Sequence, residues 1–276
     1  EAQIVHVERS TGLTVPLDRQ GADYMALLSS MEVINFPEYI ESLVRIFDAA
    51  SVSWTLSRMA FEATNSGIQI GDSAIAAELV SRVVNAAEGL GVKYVISPEC
   101  GHAYTAIRWD GPNLIGRPYR FEVVHILELL DQLRAEGRLQ TEGLDERRLT
   151  YHDPCQIARR GGVLTQPRNL LQMIAPDYPE MADTGRMNWC CGGGGGVSAN
   201  EGAEPLRLEA FKRKKRQLEA LGVETLVTAC ANCRIVIEEG LEHYQMDIAV
   251  AGLTELLAEH LVVKENGTAA DSATRD

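Results

Sequence analysis

The chain has 276 residues, of which 45% are hydrophobic and 24% charged, as in a globular protein with one large domain or two small lobes. Its net charge of −13 excludes nucleic acid as an expected partner, because phosphate binding requires a basic surface. No run of 18 apolar residues occurs, so no membrane-spanning helix is predicted.

The N-terminus shows no targeting signal. It begins Glu1-Ala2-Gln3, without an initiator Met, a basic segment or an apolar segment, so we expect no signal peptide. The missing Met suggests a processed chain or a piece of a longer one. We therefore expect a cytoplasmic protein that reaches the inner face of a membrane only through partner subunits or a preceding N-terminal part.

The first half of the chain alternates predicted strands and helices. Residues 24–28 predict a short apolar strand and residues 37–49 a helix. Residues 74–97 then predict an amphipathic helix, a glycine stop at Gly91 and a β-branched strand. The polar segment 138–147 is the natural linker to the second half.

The second half repeats this order of elements. Residues 148–151 predict a strand, and residues 203–228 repeat the helix, the glycine stop and the strand of residues 74–97. Alternation of strand and helix favours parallel sheets. The sequence thus predicts an α/β protein of two pseudo-symmetric lobes that arose by internal duplication. We assign residues 1–137 to an N-terminal lobe, residues 138–263 to a C-terminal lobe and residues 264–276 to a disordered tail.

Six cysteines are present, and five of them lie in the second half: Cys155, Cys190, Cys191, Cys230 and Cys233. The chain is long and lacks a signal, and a vicinal pair is awkward to place in a disulfide framework, so metal or redox chemistry is favoured over disulfides. The five follow predicted strand ends or open a loop. Ligands of open parallel sheets bind outside the carboxyl ends of the strands.

Thiolates are soft ligands, so the metal centre that they would bind is zinc, copper(I) or an iron–sulfur cluster. Vicinal Cα atoms are about 3.8 Å apart, so two adjacent sulfurs reach one centre only from an irregular loop. The glycine run 192–196 allows such a loop, and its first members, Gly192, Gly193 and Gly194, are candidate cofactor-binding residues whose N–H groups form an anion-binding nest. A nucleotide loop is disfavoured because no Gly-Lys-Ser/Thr follows.

Zinc competes with iron–sulfur at this site. Four ligands suffice for structural zinc, and Cys155, one of the vicinal pair, Cys230 and Cys233 would supply them. The fifth thiol and the glycine nest would then have no role, so the cluster is the preferred interpretation. The first half carries Glu99 and His102 opposite Cys230 and Cys233, which predicts one cluster per chain.

Other residues have two open interpretations. Cys100 and His102 are either a buried small side chain and a loop residue, or catalytic residues that line a pocket beside the cluster. His152 and Asp153 either set the turn before Cys155, or His152 donates to a cluster sulfur. The basic run 212–216 is expected to form a solvated helix face, with docking of an acidic redox partner as the alternative.

The pattern Cys155, Cys190-Cys191-Gly192 and Cys230-x-x-Cys233, with Asn188-Trp189 before the pair, resembles the cysteine-rich CCG domain of heterodisulfide reductase B/D-like proteins. The resemblance implies a noncubane [4Fe-4S] cluster ligated by these five cysteines. In heterodisulfide reductase, such clusters cleave a disulfide in two one-electron steps. The resemblance also implies partner redox subunits: ferredoxin-like, flavoprotein or quinone-linked membrane subunits.

Three functions follow as hypotheses. The first is an iron–sulfur redox subunit of an oxidoreductase that transfers electrons within a dehydrogenase or membrane-linked complex. In the second, the cluster itself reduces a sulfur substrate: a disulfide, a persulfide or a similar compound, with a thiol/disulfide substrate as the partner. The third is a zinc-stabilised interaction module without redox chemistry.

Overall fold

A computed structural model describes residues 2–62 and 64–262 of the chain. The tail predicted to be disordered, residues 264–276, lies outside the described residues. None of the helices in the described part of the chain combines the length and apolar character that crossing a bilayer requires.

Within the described residues, seven parallel strands form two separate sheets. The strands are β1 (Tyr24–Ala26), β2 (Trp54–Thr55), β3 (Tyr94–Ser97), β4 (Glu122–His125), β5 (Leu149–His152), β6 (Thr225–Thr228) and β7 (Ala249–Gly252). The first sheet has the order β2-β1-β3-β4 and the second the order β5-β6-β7.

Helices connect the strands, as parallel pairing requires. The α-helices are α1 (Ala2–Thr11), α2 (Ser30–Asn35), α3 (Glu38–Ala49), α4 (Thr64–Gln69), α5 (Ser73–Leu90), α6 (Gly101–Thr105), α7 (Gly111–Ile115), α8 (Ile126–Ala135), α9 (Gln166–Leu171), α10 (Glu204–Leu221), α11 (Ala231–His243) and α12 (Leu253–Glu259). Two π-helical turns are also present: Ala106–Asp110 after α6 in the first half, and Gln156–Arg160 after β5 in the second.

The two glycine stops that the sequence predicts end the two longest helices. Gly91 follows α5 with φ of 69°, and Gly222 follows α10 with φ of 58°. This left-handed backbone is readily available only to glycine, and it releases the chain towards the next strand. All four residues of β6 are buried, as expected of a central strand covered on both faces.

The predicted α/β class with parallel sheets is confirmed, but the two halves are less alike than the repeat suggested. β1, β3 and β4 correspond to β5, β6 and β7, whereas β2 has no partner strand in the second sheet. The division at residues 137 and 138 stays a prediction about domains. It lies between α8 and β5, and the segment 138–147 contains no helix or strand.

The register predicted between the halves is wrong by one residue at the site. Cys100 precedes α6 with φ of −140° and ψ of 108°, and Cys230 precedes α11 with φ of −152° and ψ of 110°. Cys100 therefore corresponds to Cys230, and Ala103 to Cys233. The physical reason is one extra residue between β3 and α6, which the sequence repeat did not reveal.

The two lobes pack closely beside the cysteines. α6 of the first lobe lies against the π-helical turn that follows Cys155 in the second. A Cβ atom on Gly101 would lie 2.6 Å from the Gln156 Cβ and 3.0 Å from the Ile157 amide nitrogen. The Ala231 amide donates to the Glu99 carbonyl oxygen over 2.8 Å, so the backbone itself crosses the junction.

We predict that Gly101→Ala destabilises the protein by about 1–3 kcal/mol, because the methyl group overpacks the contact with the Gln156 Cβ, the Ile157 side chain and the Ile157 amide nitrogen. Gly89→Ala is the matched control. Its added Cβ meets nothing within 4 Å inside α5, so it should stabilise by about 0.5–1 kcal/mol. Urea unfolding of both variants measures this. Equal effects of the two substitutions would contradict the close packing at Gly101.

Candidate metal centre

Three loops bring the five second-half cysteines to one end of the second sheet. Cys155 follows β5 in a tight turn, and Cys190-Cys191 opens the glycine run. Cys230 caps the N-terminus of α11, and Cys233 lies in its first turn. The loops meet beyond the carboxyl ends of β5 and β6, the usual position for ligands of parallel sheets.

The thiols form one continuous group of contacts. Cys155 Sγ lies 3.8 Å from Cys190 Sγ. The contacts continue from Cys190 to Cys191, from Cys191 to Cys233 and from Cys233 to Cys230. None of these cysteines forms a disulfide. The structure therefore brings together all five residues that the sequence identified as candidate metal ligands.

These thiols cannot all ionise together without a cation. Hydrogen bonds from the Cys155 and Cys191 thiols, with that of the Gly192 amide, lower the pKa of Cys190 to about 2. The same interactions raise the pKa of Cys155, and contact with Cys191 and Cys230 raises the pKa of Cys233. Because neighbouring thiolates repel each other, ionisation of one thiol raises the pKa of the next. A positively charged metal centre would offset this repulsion.

The glycine run shapes the loop in three different ways. Gly192 has φ of 97°, and its amide lies 3.4 Å from Cys190 Sγ. At Gly193 a Cβ would lie 2.6 Å from Val236 Cγ2, so this position requires close approach to α11. Gly194 faces the His102 ring, which a Cβ would approach to 3.4 Å. The helix predicted after this loop begins at Glu204, within one residue of the prediction, and two short 3₁₀ turns lead into it.

A buried carboxylate connects the loop of Cys155 to the segment before Cys190. Asp153 accepts two hydrogen bonds from Arg168, over 3.0 and 2.9 Å, and a third from the Gly185 amide over 2.6 Å. The Asn188 side chain donates to the Asp153 carbonyl oxygen over 2.6 Å. Asp153 therefore sets the turn and also fixes the second cysteine loop.

Lys214 lies beside the centre, where the sequence predicted a solvated helix face. That prediction is wrong for this residue: Lys214 is only 1% exposed, whereas Lys212 and Arg213 are exposed. The buried residues of α10 are Arg207, Phe211, Lys214 and Leu218, one stripe at helical spacing. That spacing is visible in the sequence and indicates a buried stripe. The five consecutive basic residues 212–216 instead favoured a solvated face.

Of the two candidate catalytic residues, His102 lines the small cavity among the thiols, together with Pro154, Gln156 and Asn232. Burial lowers the pKa of His102. Cys100 is buried on the side of Cys230 and does not line the cavity. Glu99 instead accepts from the Thr254 amide and hydroxyl, over 2.9 and 2.6 Å, and so caps α12 of the other lobe.

A second donor set overlaps the thiols. The ligand atoms of His152, Cys191 and Cys233 lie within 4.8 Å of one another, and all three residues are buried. His152 Nε2 has no hydrogen-bond partner. This mixed nitrogen and sulfur set is also suitable for zinc.

We predict that Asp153→Asn destabilises the protein by about 3 kcal/mol, because it removes the buried charge that accepts from Arg168, Thr184 and the Gly185 amide, and leaves Arg168 only its partly exposed partner Glu180. The matched control is Asp183→Asn, whose partner Arg213 is well exposed. Loss of the Asp183–Arg213 ion pair should lower the free energy of unfolding by less than about 1 kcal/mol. Thermal and urea unfolding of the metal-free protein measure both. A similar small loss in both variants would contradict the structural role of Asp153.

Comparison with known proteins agrees with the geometry. Residues 149–238 match the CCG family, described as a cysteine-rich domain. A component of the dihydromethanophenazine:CoB--CoM heterodisulfide reductase of Methanosarcina barkeri is 32% identical over 68% of this chain and 45% of its own length. The Hdr-like menaquinol oxidoreductase iron-sulfur subunit 2 of Archaeoglobus fulgidus is 27% identical over 91% of this chain and 53% of its own length.

A further relative is the EtfAB:quinone oxidoreductase of Syntrophomonas wolfei, 29% identical over 82% of this chain and 32% of its own length. Among solved structures, a hypothetical protein from Helicobacter pylori superimposes with a TM-score of 0.63 over 91% of this chain and 51% of its own, at 10% identity. That likeness concerns the fold alone.

The chain spans somewhat less than half the length of the Methanosarcina heterodisulfide reductase components that it matches, 44–47%. The matched domain, residues 149–238, includes all five clustered cysteines. Residues 149–238 are therefore a CCG cysteine-rich domain, and the chain is similar to heterodisulfide reductase-like proteins.

Proposed function

We propose that the chain is an iron–sulfur redox subunit of an oxidoreductase and that Cys155, Cys190, Cys191, Cys230 and Cys233 ligate its cluster. The observation that carries the proposal is the unbroken group of thiol contacts at the end of the second sheet. Such a concentration of soft donors suits iron–sulfur chemistry. When bound, the cluster supplies one-electron transfer.

The surrounding residues fit an anionic cluster. The Gly192 amide points at Cys190, and the Gly101 and Cys233 amides donate to Cys230, so backbone dipoles stabilise negative charge on sulfur. Gly192, Gly193 and Gly194 would form the wall of the cofactor site. Cys191, Cys230 and Cys233 are buried and hold the group away from water, whereas Cys155 and Cys190 are partly exposed and offer a route for electrons.

We infer a [4Fe-4S] cluster of the noncubane type. An ordinary cubane takes four thiolates, which would leave one member of the group unused in the centre of the site. The contacts include all five sulfurs and isolate none of them. Five thiolates on one cluster account for this arrangement without a spare ligand.

The partners we propose are other redox subunits: a ferredoxin-like protein, a flavoprotein or a quinone-linked membrane subunit. Two relatives are named as a menaquinol oxidoreductase subunit and a quinone oxidoreductase, which supports electron exchange with a quinone-linked partner. We place the protein in the cytoplasm, at the inner face of the membrane where such a partner is present.

We predict that anaerobically reconstituted protein contains about four iron and four sulfide per chain, as the proposed cluster requires. Replacing any one of the five cysteines by Ser should remove most of the bound iron or change its electron paramagnetic resonance spectrum. Cys100→Ala is the matched control, because Cys100 lies outside the group of contacts. Iron, acid-labile sulfide and electron paramagnetic resonance measure the outcome.

A colourless protein that binds one zinc, with ligands His152, Cys191 and Cys233 among those required, would contradict the redox proposal. The proximity of these three donor groups is the specific observation in favour of zinc. Their set omits Cys155, so zinc retention in the Cys155→Ser variant would identify it.

We propose disulfide reduction at the cluster as a second candidate function. The supporting observation is the small cavity bounded by His102 and the partly exposed Cys155 and Cys190. A disulfide or thiol substrate that approached there would meet the His102 ring beside the sulfurs. Cys100 is behind this surface, so we assign His102, and not Cys100, to proton transfer.

We predict that His102→Ala slows disulfide reduction by about 100-fold, the usual contribution of a positioned acid or base, while iron content stays unchanged. His243→Ala is the control, because His243 is exposed on α11 and does not line the cavity. The rate of disulfide reduction is measured as oxidation of a reduced dye in the presence of a low-molecular-weight disulfide. Undiminished turnover in His102→Ala would end the assignment.

A further inference from the structure

Lys214 is a fully buried lysine that forms no ion pair among the described residues, and the Asp183 charge acts on it only from a distance. Its Nζ contacts His152 Nδ1 over 3.1 Å and the Trp189 carbonyl oxygen over 3.3 Å. Among the residues that the structure describes, none with a carboxylate pairs with it, although its neighbours on α10, Lys212, Arg213 and Lys215, all form ion pairs. A buried charge without a counter-charge is costly, so its position requires an explanation.

Both partners of Lys214 belong to the loops that carry the thiols. His152 is the last residue of β5, three positions before Cys155, and Trp189 immediately precedes Cys190. The ligand atom of His152 lies within 4.8 Å of those of Cys191 and Cys233. Lys214 therefore lies beside the thiol group, and neither Lys214 nor His152 lines the cavity that His102 borders.

The contact with Lys214 also decides which nitrogen of His152 carries the proton. An ammonium group only donates hydrogen bonds, so Nδ1 must accept, and the neutral ring then carries its proton on Nε2. Nε2 is buried and has no hydrogen-bond partner in the part of the chain that the structure describes. A buried donor without an acceptor points to a group that occupies the site in the working protein.

We propose that Lys214 is the built-in counter-cation of the cluster and that it orients His152 so that Nε2–H donates to a cluster sulfur. The inference rests on the proposed function. Lys214 is a positioning residue: it acts through His152 and through its charge. Reduction adds one electron to the cluster, and a nearby positive charge stabilises the reduced form more than the oxidised form. Lys214 therefore raises the midpoint potential.

Lys214→Met tests this, because methionine fills a similar volume without charge or donors. Lys215→Met is the matched control: it removes the same charge from the next residue of α10, where the side chain is partly exposed and paired with Glu219. Both reconstituted variants and the parent protein are titrated anaerobically, with the cluster followed by electron paramagnetic resonance. Metal-free samples are unfolded by heat in parallel.

In Lys214→Met we expect the equilibrium constant for reduction to fall at least tenfold, a downward shift of about 59 mV or more for a one-electron couple. Lys215→Met should match the parent. Metal-free Lys214→Met should melt at or above the parent temperature, because an unneutralised buried charge has gone. A role only in packing would lower the melting temperature and leave the potential unchanged.

A potential in Lys214→Met equal to that of Lys215→Met overturns the inference. If Lys214→Met assembles no cluster, the metal-free comparison decides: a higher melting temperature supports a counter-cation, and a lower one overturns it. Failure of the parent protein to bind iron would instead refute the proposed function itself. The two failures are therefore distinguishable.

Discussion

Repulsion among five crowded thiols is the constraint on which the rest of the structure depends. Sulfurs this close cannot all become thiolates unless something positive lies between or beside them. Backbone amides of Gly192, Gly101 and Cys233 supply positive potential beside the sulfurs, and Lys214 is buried next to the same loops. These features stabilise negative charge at the end of the second sheet, where the thiols meet.

The first half of the chain, which lacks the five-cysteine pattern, completes the site. Gly101 presents its amide to Cys230 and leaves no space for a side chain, and Glu99 crosses the junction to cap α12. His102 lines the small cavity among the thiols. The first half thus supplies one amide donor and part of the cavity wall, while the second half supplies the sulfurs. The two halves must pack closely at Gly101, because its amide reaches Cys230 across their junction.

Much of this was available from the sequence, for identifiable reasons. The glycines at 91 and 222 mark helix ends because only glycine readily adopts their backbone conformation, and the cysteine spacing indicates the site because strand ends of a parallel sheet meet at one edge. Tertiary contacts were not available. The network at Asp153 and the burial of Lys214 depend on how loops distant in sequence meet. The extra residue before Cys100 is local, but the exact ends of β3 and α6 that reveal it are not readable from the sequence pattern.

The central claim is that iron, bridged by sulfur, lies among these thiols. X-ray absorption at the iron and zinc edges of anaerobically purified protein tests it most directly, because it identifies the element and its neighbours together. The account predicts an iron edge with sulfur neighbours and further iron atoms beyond them. A zinc edge with sulfur at about 2.3 Å, together with nitrogen and no second metal, would contradict it.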